Sequence, residues 1–133
     1  MNKKQLHIKK FGFVSDAAED EYKALPADIK HEFGINLRAL QNNRKPFMLV
    51  KPLSSIGTGV MELIINGSPA WRCIYIVKYL DAVIVLHSFS KTTNGTDRPA
   101  MKLATQRYKK LMDIVRDNKK TEKNAAKQQP KPG

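Results

Sequence analysis

The spacing of the apolar residues changes twice along this chain, and those changes limit the fold more than any other feature. Up to residue 41 the apolar positions recur every three or four residues, the period of a helix with one buried face. Val14, Ala17, Ala18, Tyr22 and Leu25 make one such stripe, and Ile29, Phe33, Leu37 and Leu40 make another. From residue 60 to residue 90 the apolar residues are β-branched, run together or alternate, as strands require. Beyond Pro99 the helical period returns in Met101, Ala104, Tyr108, Leu111, Met112 and Val115. Such a chain folds as a small α+β domain, an antiparallel sheet with helices against one face.

Local signals set the boundaries. Residues 6–13 alternate loosely and predict a short first strand. Asp16 with Glu19 resembles a capping box. Pro26 ends that first helix and joins it to a second over 27–41, an αα-hairpin. Gly34 weakens the second helix by about 1 kcal/mol against alanine. Residues 42–46 read as a loop. Strands are predicted over 60–65, 70–80 and 83–90. The short Asp81-Ala82 link makes the last two an antiparallel hairpin. The final helix covers 99–117, with Pro99 in its first turn. The sheet therefore has three to four antiparallel strands, with a helical hairpin before it and one helix after it. Residues 118–133 contain no Leu, Ile, Val or aromatic residue. They have nothing to bury and read as a disordered basic tail behind a domain spanning 1–117.

Composition narrows the function. The chain has 133 residues, 24 Lys and Arg against 12 Asp and Glu, and a formal charge of +12. That suits one domain with a polyanionic partner. Thirteen bases against four acids lie between residues 33 and 116, whereas residues 16–32 carry six acids against two bases. No apolar run approaches the length of a membrane span or a signal peptide, so a cytoplasmic protein without a membrane partner is expected. One cysteine excludes a disulfide framework, and Cys73 in its apolar run reads as a buried small hydrophobe. His7, His31 and His87 are too far apart in sequence to suggest a metal site. There is no phosphate loop, HExxH or G-x-S-x-G motif.

Candidate chemistry gathers on the hairpin. Strand side chains alternate faces, so Arg72, Ile74, Ile76 and Lys78 share one face, opposite Trp71, Cys73, Tyr75 and Val77. Val85, His87, Phe89 and Lys91 share a face of the next strand. A two-residue turn at Asp81-Ala82 pairs Ile76 with His87, Ile74 with Phe89, and Arg72 with Lys91. Two cations directly opposite each other cost stability, which makes sense where an anion lies between them. His87 offers an imidazole that could transfer a proton, and Phe89 is suited to stack on a base. These parts suit RNA cleavage by attack of a ribose 2′-OH on the adjacent phosphate. Each residue also has an ordinary use: His87 as a hydrogen-bonded packing residue, Phe89 as core, Arg72 and Lys91 as solvated strand ends. Composition and spacing alone reach a basic α+β domain that binds an anion.

The order of short motifs goes further. Lys51-Pro52-Leu53 precedes a Gly-containing loop. Then come Val60-Met61-Glu62-Leu63, Trp71-Arg72-Cys73-Ile74-Tyr75 and Leu86-His87-Ser88-Phe89-Ser90-Lys91. Over residues 6–117 this order resembles the phage-related, HigB-like branch of the RelE/ParE type II toxin superfamily. The resemblance implies a compact RelE-like fold and a metal-independent, cofactor-free mRNA interferase that cuts mRNA in the ribosomal A site. It also implies neutralisation by a cognate helix-turn-helix antitoxin. By position, it implies Arg72 as the phosphate-holding arginine, Lys91 as the basic residue after the last strand and Lys51 as a basic loop residue. His87 and Phe89 fall in the strand that carries catalytic or base-stacking side chains. The resulting candidates are Arg72, His87 and Lys91 for catalysis, with Lys51, Lys78 and Phe89 for RNA binding. A ParE-like gyrase inhibitor and a non-catalytic basic nucleic-acid-binding module remain the alternatives.

Overall fold

Ser15, rather than Asp16, starts the first helix: its side-chain oxygen accepts the backbone N–H of Ala18 at 3.2 Å. The computed structural model describes residues 7–128. Within them the order is β1 (Lys10–Phe13), α1 (Asp16–Lys23), α2 (Ala27–Gln41), β2 (Leu49–Pro52), β3 (Val60–Ile65), β4 (Ala70–Ile76), β5 (Ala82–Lys91) and α3 (Arg98–Gln128). Leu6, expected to open the first strand, lies outside the described residues, and His7–Lys9 are not strand. The helical hairpin is present, fastened by the Tyr22 hydroxyl donating to the Lys30 carbonyl at 2.9 Å.

The sheet departs from the sequence expectation in size and direction. It has five strands, not three to four, in the order β1-β5-β4-β3-β2. It is mixed, since β1 pairs with β5 in parallel while the other neighbours are antiparallel. The parallel pair exists because the whole run from α1 to β4 separates the two strands, long enough for the crossover that parallel pairing needs. β2 is only four residues and ends on Pro52, which an edge strand tolerates.

Helices cover both faces rather than one. Phe33 and Leu37 of α2 lie in a cluster with Leu63, Cys73, Tyr75, Val83 and Val85. Ala104, Leu111 and Val115 of α3 lie in another with Val60, Ile74, Ile76, Ile84 and Leu86. The face assigned to Trp71, Cys73, Tyr75 and Val77 is the α2 face, as alternation predicts. Cys73 is fully buried there, and burial pushes its thiol up to about 12.

From Ala70 to Ile74 the hairpin register is offset by two from the expected one. Arg72 lies opposite Phe89, Ile74 opposite His87, and Ala70 opposite Lys91. The cause is the turn together with a bulge: the turn centres on Leu80 and Asp81 at φ 60 and 52 and offsets the pairs next to it by three, and the bulge takes one back. The turn is closed by the Ala82 N–H donating to the Tyr79 carbonyl at 3.2 Å. Positive φ at both central residues is the geometry that matches strand twist, although leucine is an unusual choice for it. Beyond the bulge, a slip of two keeps the side chains of Arg72, His87 and Phe89 on the expected face. An irregularity then separates the pairs Ile74–His87 and Tyr75–Val85, leaving Leu86 as the extra residue. Below this bulge Val85 joins the α2 face, so it does not share a face with His87 and Phe89 as alternation suggested.

The last helix continues past Asp117 to Gln128, so residues 118–128 extend a helix and are not the unstructured segment expected from their composition. Lys, Glu, Ala and Gln are good helix formers, and extending an existing helix avoids the nucleation cost. The Thr121 hydroxyl donates to the Asp117 carbonyl at 3.0 Å in this stretch. Residues 129–133 of the expected tail lie outside the described residues. No helix among the described residues is long and apolar enough to cross a membrane.

Candidate active site

Because α3 begins only at Arg98, it covers the half of its sheet face nearest the β4–β5 turn and leaves the other half open. Two rows of side chains cross that open half. One row runs Leu49, Ile64, Arg72, Phe89 from β2 to β5. The next runs Lys51, Glu62, Ile74, His87. Over them lies a cleft of about 530 Å³ whose walls include Lys51, Glu62, Arg72, Phe89 and Lys91. Ser54 and Ser55 close it on one side, with Thr96, Asp97 and Met101 on the other. A second depression of about 650 Å³ shares Asn66, Arg72, Lys91 and Gly95 with it. The two form one groove with Arg72 and Lys91 at its middle.

Glu62 is the group that sequence reasoning missed. It is buried at the cleft floor, with Oε1 3.7 Å from the Arg72 Nε. Burial raises its carboxyl above the usual carboxylate range, and the nearby Arg72, Lys51 and Lys91 only partly oppose that shift. The signal was present in the sequence: Glu62 is the one charged residue in the apolar run 60–65, and a charge at a buried strand position needs a reason. Arg72 is held in place by Nη1, which donates to the Trp71 carbonyl at 3.0 Å and the Ile65 carbonyl at 3.3 Å.

Of the candidates, Lys51, Arg72, Phe89 and Lys91 come together around the cleft. His87 and Lys78 do not. His87 is buried, and its ring stacks on Phe89 with centroids 4.6 Å apart and planes 21° apart. Its Nδ1 lies 2.8 Å from Glu21 Oε1. Arg107 grips the same carboxylate with Nη1 at 2.7 Å and Nη2 at 2.8 Å, and Nη1 also donates to the Leu86 carbonyl at 2.9 Å. Burial pushes the Glu21 pKa up, but the hydrogen bonds from Arg107 and His87 outweigh it and leave the pKa lowered. Lys78 is exposed beyond β4 at the turn end of the hairpin, away from the cleft. Among the described residues no three of His, Cys, Asp and Glu gather as metal ligands would.

The chemistry available is that of an anion site with a proton acceptor at its floor. Three cations surround a carboxylate that burial makes a better base at neutral pH. An aromatic ring forms part of one wall, and hydroxyls line another.

Residues 20–109 match the family model described as phage derived protein Gp49-like (DUF891). The chain belongs to that family, a family of RelE/HigB-type toxins, and is therefore a RelE-superfamily toxin of a toxin–antitoxin system. Among solved structures it is similar to the toxin–antitoxin complex RelBE2 of Mycobacterium tuberculosis. That match has 17% identity and a TM-score of 0.43, and covers 67% of this chain and 98% of that one. No curated protein matches the sequence significantly.

Proposed function

We propose that the protein is a ribosome-dependent mRNA endoribonuclease that cuts its substrate in the groove centred on Arg72 and Lys91. The observation that carries this reading is the convergence of Lys51, Arg72 and Lys91 on the buried carboxylate of Glu62, beside the Phe89 ring. A gyrase inhibitor or a passive binding module has no need of a carboxylate held at raised pKa among cations.

In this mechanism Glu62 accepts the proton of a ribose 2′-OH. The oxygen attacks the adjacent phosphorus, the O2′–P bond forms and the P–O5′ bond breaks. Arg72 and Lys51 bind the non-bridging oxygens and stabilise the charge that grows on them. Lys91 gives a proton to the departing O5′. The products are a 2′,3′-cyclic phosphate and a 5′-hydroxyl. Phe89 stacks on a neighbouring base. His87 serves as a positioning residue, holding Phe89 from below while Glu21 and Arg107 hold His87. The ribosome supplies a fixed conformation of the mRNA, and a helix-turn-helix antitoxin is the expected neutralising partner.

Arg72→Ala and Lys91→Ala test the reading. Brief induction followed by mapping of mRNA 5′ ends should give ribosome-dependent, codon-phased cuts with the parent chain and none with either variant. Intact mRNA with DNA-damage signalling would identify gyrase as the target instead.

A further inference from the structure

The far end of α3 carries a feature that cleavage does not use. A shallow cup of about 430 Å³ lies between the β4–β5 turn and the helix. Its floor is Tyr79, Met112 and Val115, and its rim is Arg116, Lys119, Lys120 and Lys123. The three lysines are exposed, and among the described residues none of them is in an ion pair. They sit three, four or one residue apart on one helix, where like charges repel each other. Lys78, the candidate that the cleft does not include, holds its Nζ 5.6 Å from the Tyr79 ring centroid.

We propose that this cup is a second RNA site, which takes one unstacked base on Tyr79 and the flanking phosphates on Lys119, Lys120 and Lys123. An aromatic floor inside a basic rim is what base stacking with backbone neutralisation requires. A lipid surface fits less well, because α3 has no large apolar residue after Val115 to insert. From Met101 at the cleft to Arg116 at the cup is roughly 22 Å along the helix axis. The groove leaves the cleft in the opposite direction, between residues 66–70 and 92–95. The cup therefore lies off the line of that groove, beyond the opposite end of the cleft. Resting on the ribosomal function proposed above, the occupant is ribosomal RNA of the small subunit, and the long helix is an anchor that sets the cleft over the mRNA.

The test measures binding of the full chain to purified small ribosomal subunits that carry no mRNA, so cleavage does not enter the readout. The variant K119Q/K120Q/K123Q keeps good helix formers. It should bind about tenfold more weakly, with a plot of log affinity against log salt shallower by about two, since each phosphate contact is worth about 0.7. Tyr79→Leu should also lose about tenfold in affinity but keep the parent's salt slope. Tyr79→Phe keeps the ring and should bind as the parent chain does, which guards against a folding defect. Arg72→Ala should leave this affinity within about twofold, whatever it does to cleavage. The proposal is overturned if the triple glutamine variant binds subunits as tightly as the parent. It is equally overturned if Tyr79→Leu has no effect, or if the lysines prove to be needed for binding anionic vesicles or an acidic antitoxin segment and not subunits.

Discussion

Two glutamates, Glu62 buried and Glu21 half-buried, face opposite demands. Glu62 sits where burial disfavours its charge, so its folded pKa is raised. The unfolded chain then ionises it more readily than the folded one. Its charge is a liability at neutral pH that vanishes below the unfolded value. Glu62→Gln should therefore leave thermal stability unchanged or higher at neutral pH, while cleavage falls by about 100-fold or more. The same shift places the acid limb of the cleavage-rate profile above the ordinary carboxylate range, which a pH series on the parent chain reads directly. Glu21 is the reverse case. Its folded pKa is lowered through Arg107 and His87, so it contributes stability above the unfolded pKa and loses it as pH falls through the folded value. Glu21→Gln should cost about 2 kcal/mol at neutral pH, and the gap from the parent should close in acid. Urea denaturation at the two pH values checks both directions. If Phe89 is positioned through this chain of contacts, the same variant also raises KM more than it lowers kcat.

At the scale of elements, the stripes and faces were legible while the joins between them were not. Helical stripes located α1, α2 and the core half of α3. Alternation put Arg72, Phe89 and Lys91 on one face, and the slip of two residues left that intact because side-chain period is also two. The slip itself was hidden because Leu80 and Asp81 adopt positive φ without the Asn-Gly composition that announces such a turn. Leu80→Asn should accordingly stabilise the hairpin by about 0.5–1 kcal/mol, read as a shifted denaturation midpoint with unchanged slope. The bulge at Leu86 and the parallel pairing of β1 leave no local mark at all. Nor does the clasp on His87, whose partners Glu21 and Arg107 are 66 and 20 residues away. A lone His in a strand reads equally as base or as packing until those partners are known. Glu62, by contrast, was visible as a charge inside an apolar strand.

At the scale of the molecule, the charge divides according to location. The acidic first helix contributes a carboxylate inward, to Arg107 and His87, while the basic excess faces outward at the cleft and along the last helix. We expect residues 1–117 to be the folding unit, because the last α3 residue in either core cluster is Val115. Truncation after Asp117 should then keep the melting temperature within a few degrees, since surface changes are usually worth within about 0.5 kcal/mol. Activity should separate into two parts. In the proposed mechanism chemistry depends on Lys51, Glu62, Arg72 and Lys91, all retained. Association depends on the summed charge, of which Lys119, Lys120 and Lys123 are lost. At low salt the truncated chain should cut ribosome-bound mRNA at a saturated rate close to that of the full chain. Raising salt from about 50 to about 200 mM should weaken the full chain's ribosome binding by orders of magnitude, with a shallower slope for the truncated chain. If the two chains lose affinity with the same slope, the extra lysines make no phosphate contacts. The outward charge would then act only by steering the encounter, visible as a slower association rate with an unchanged dissociation rate.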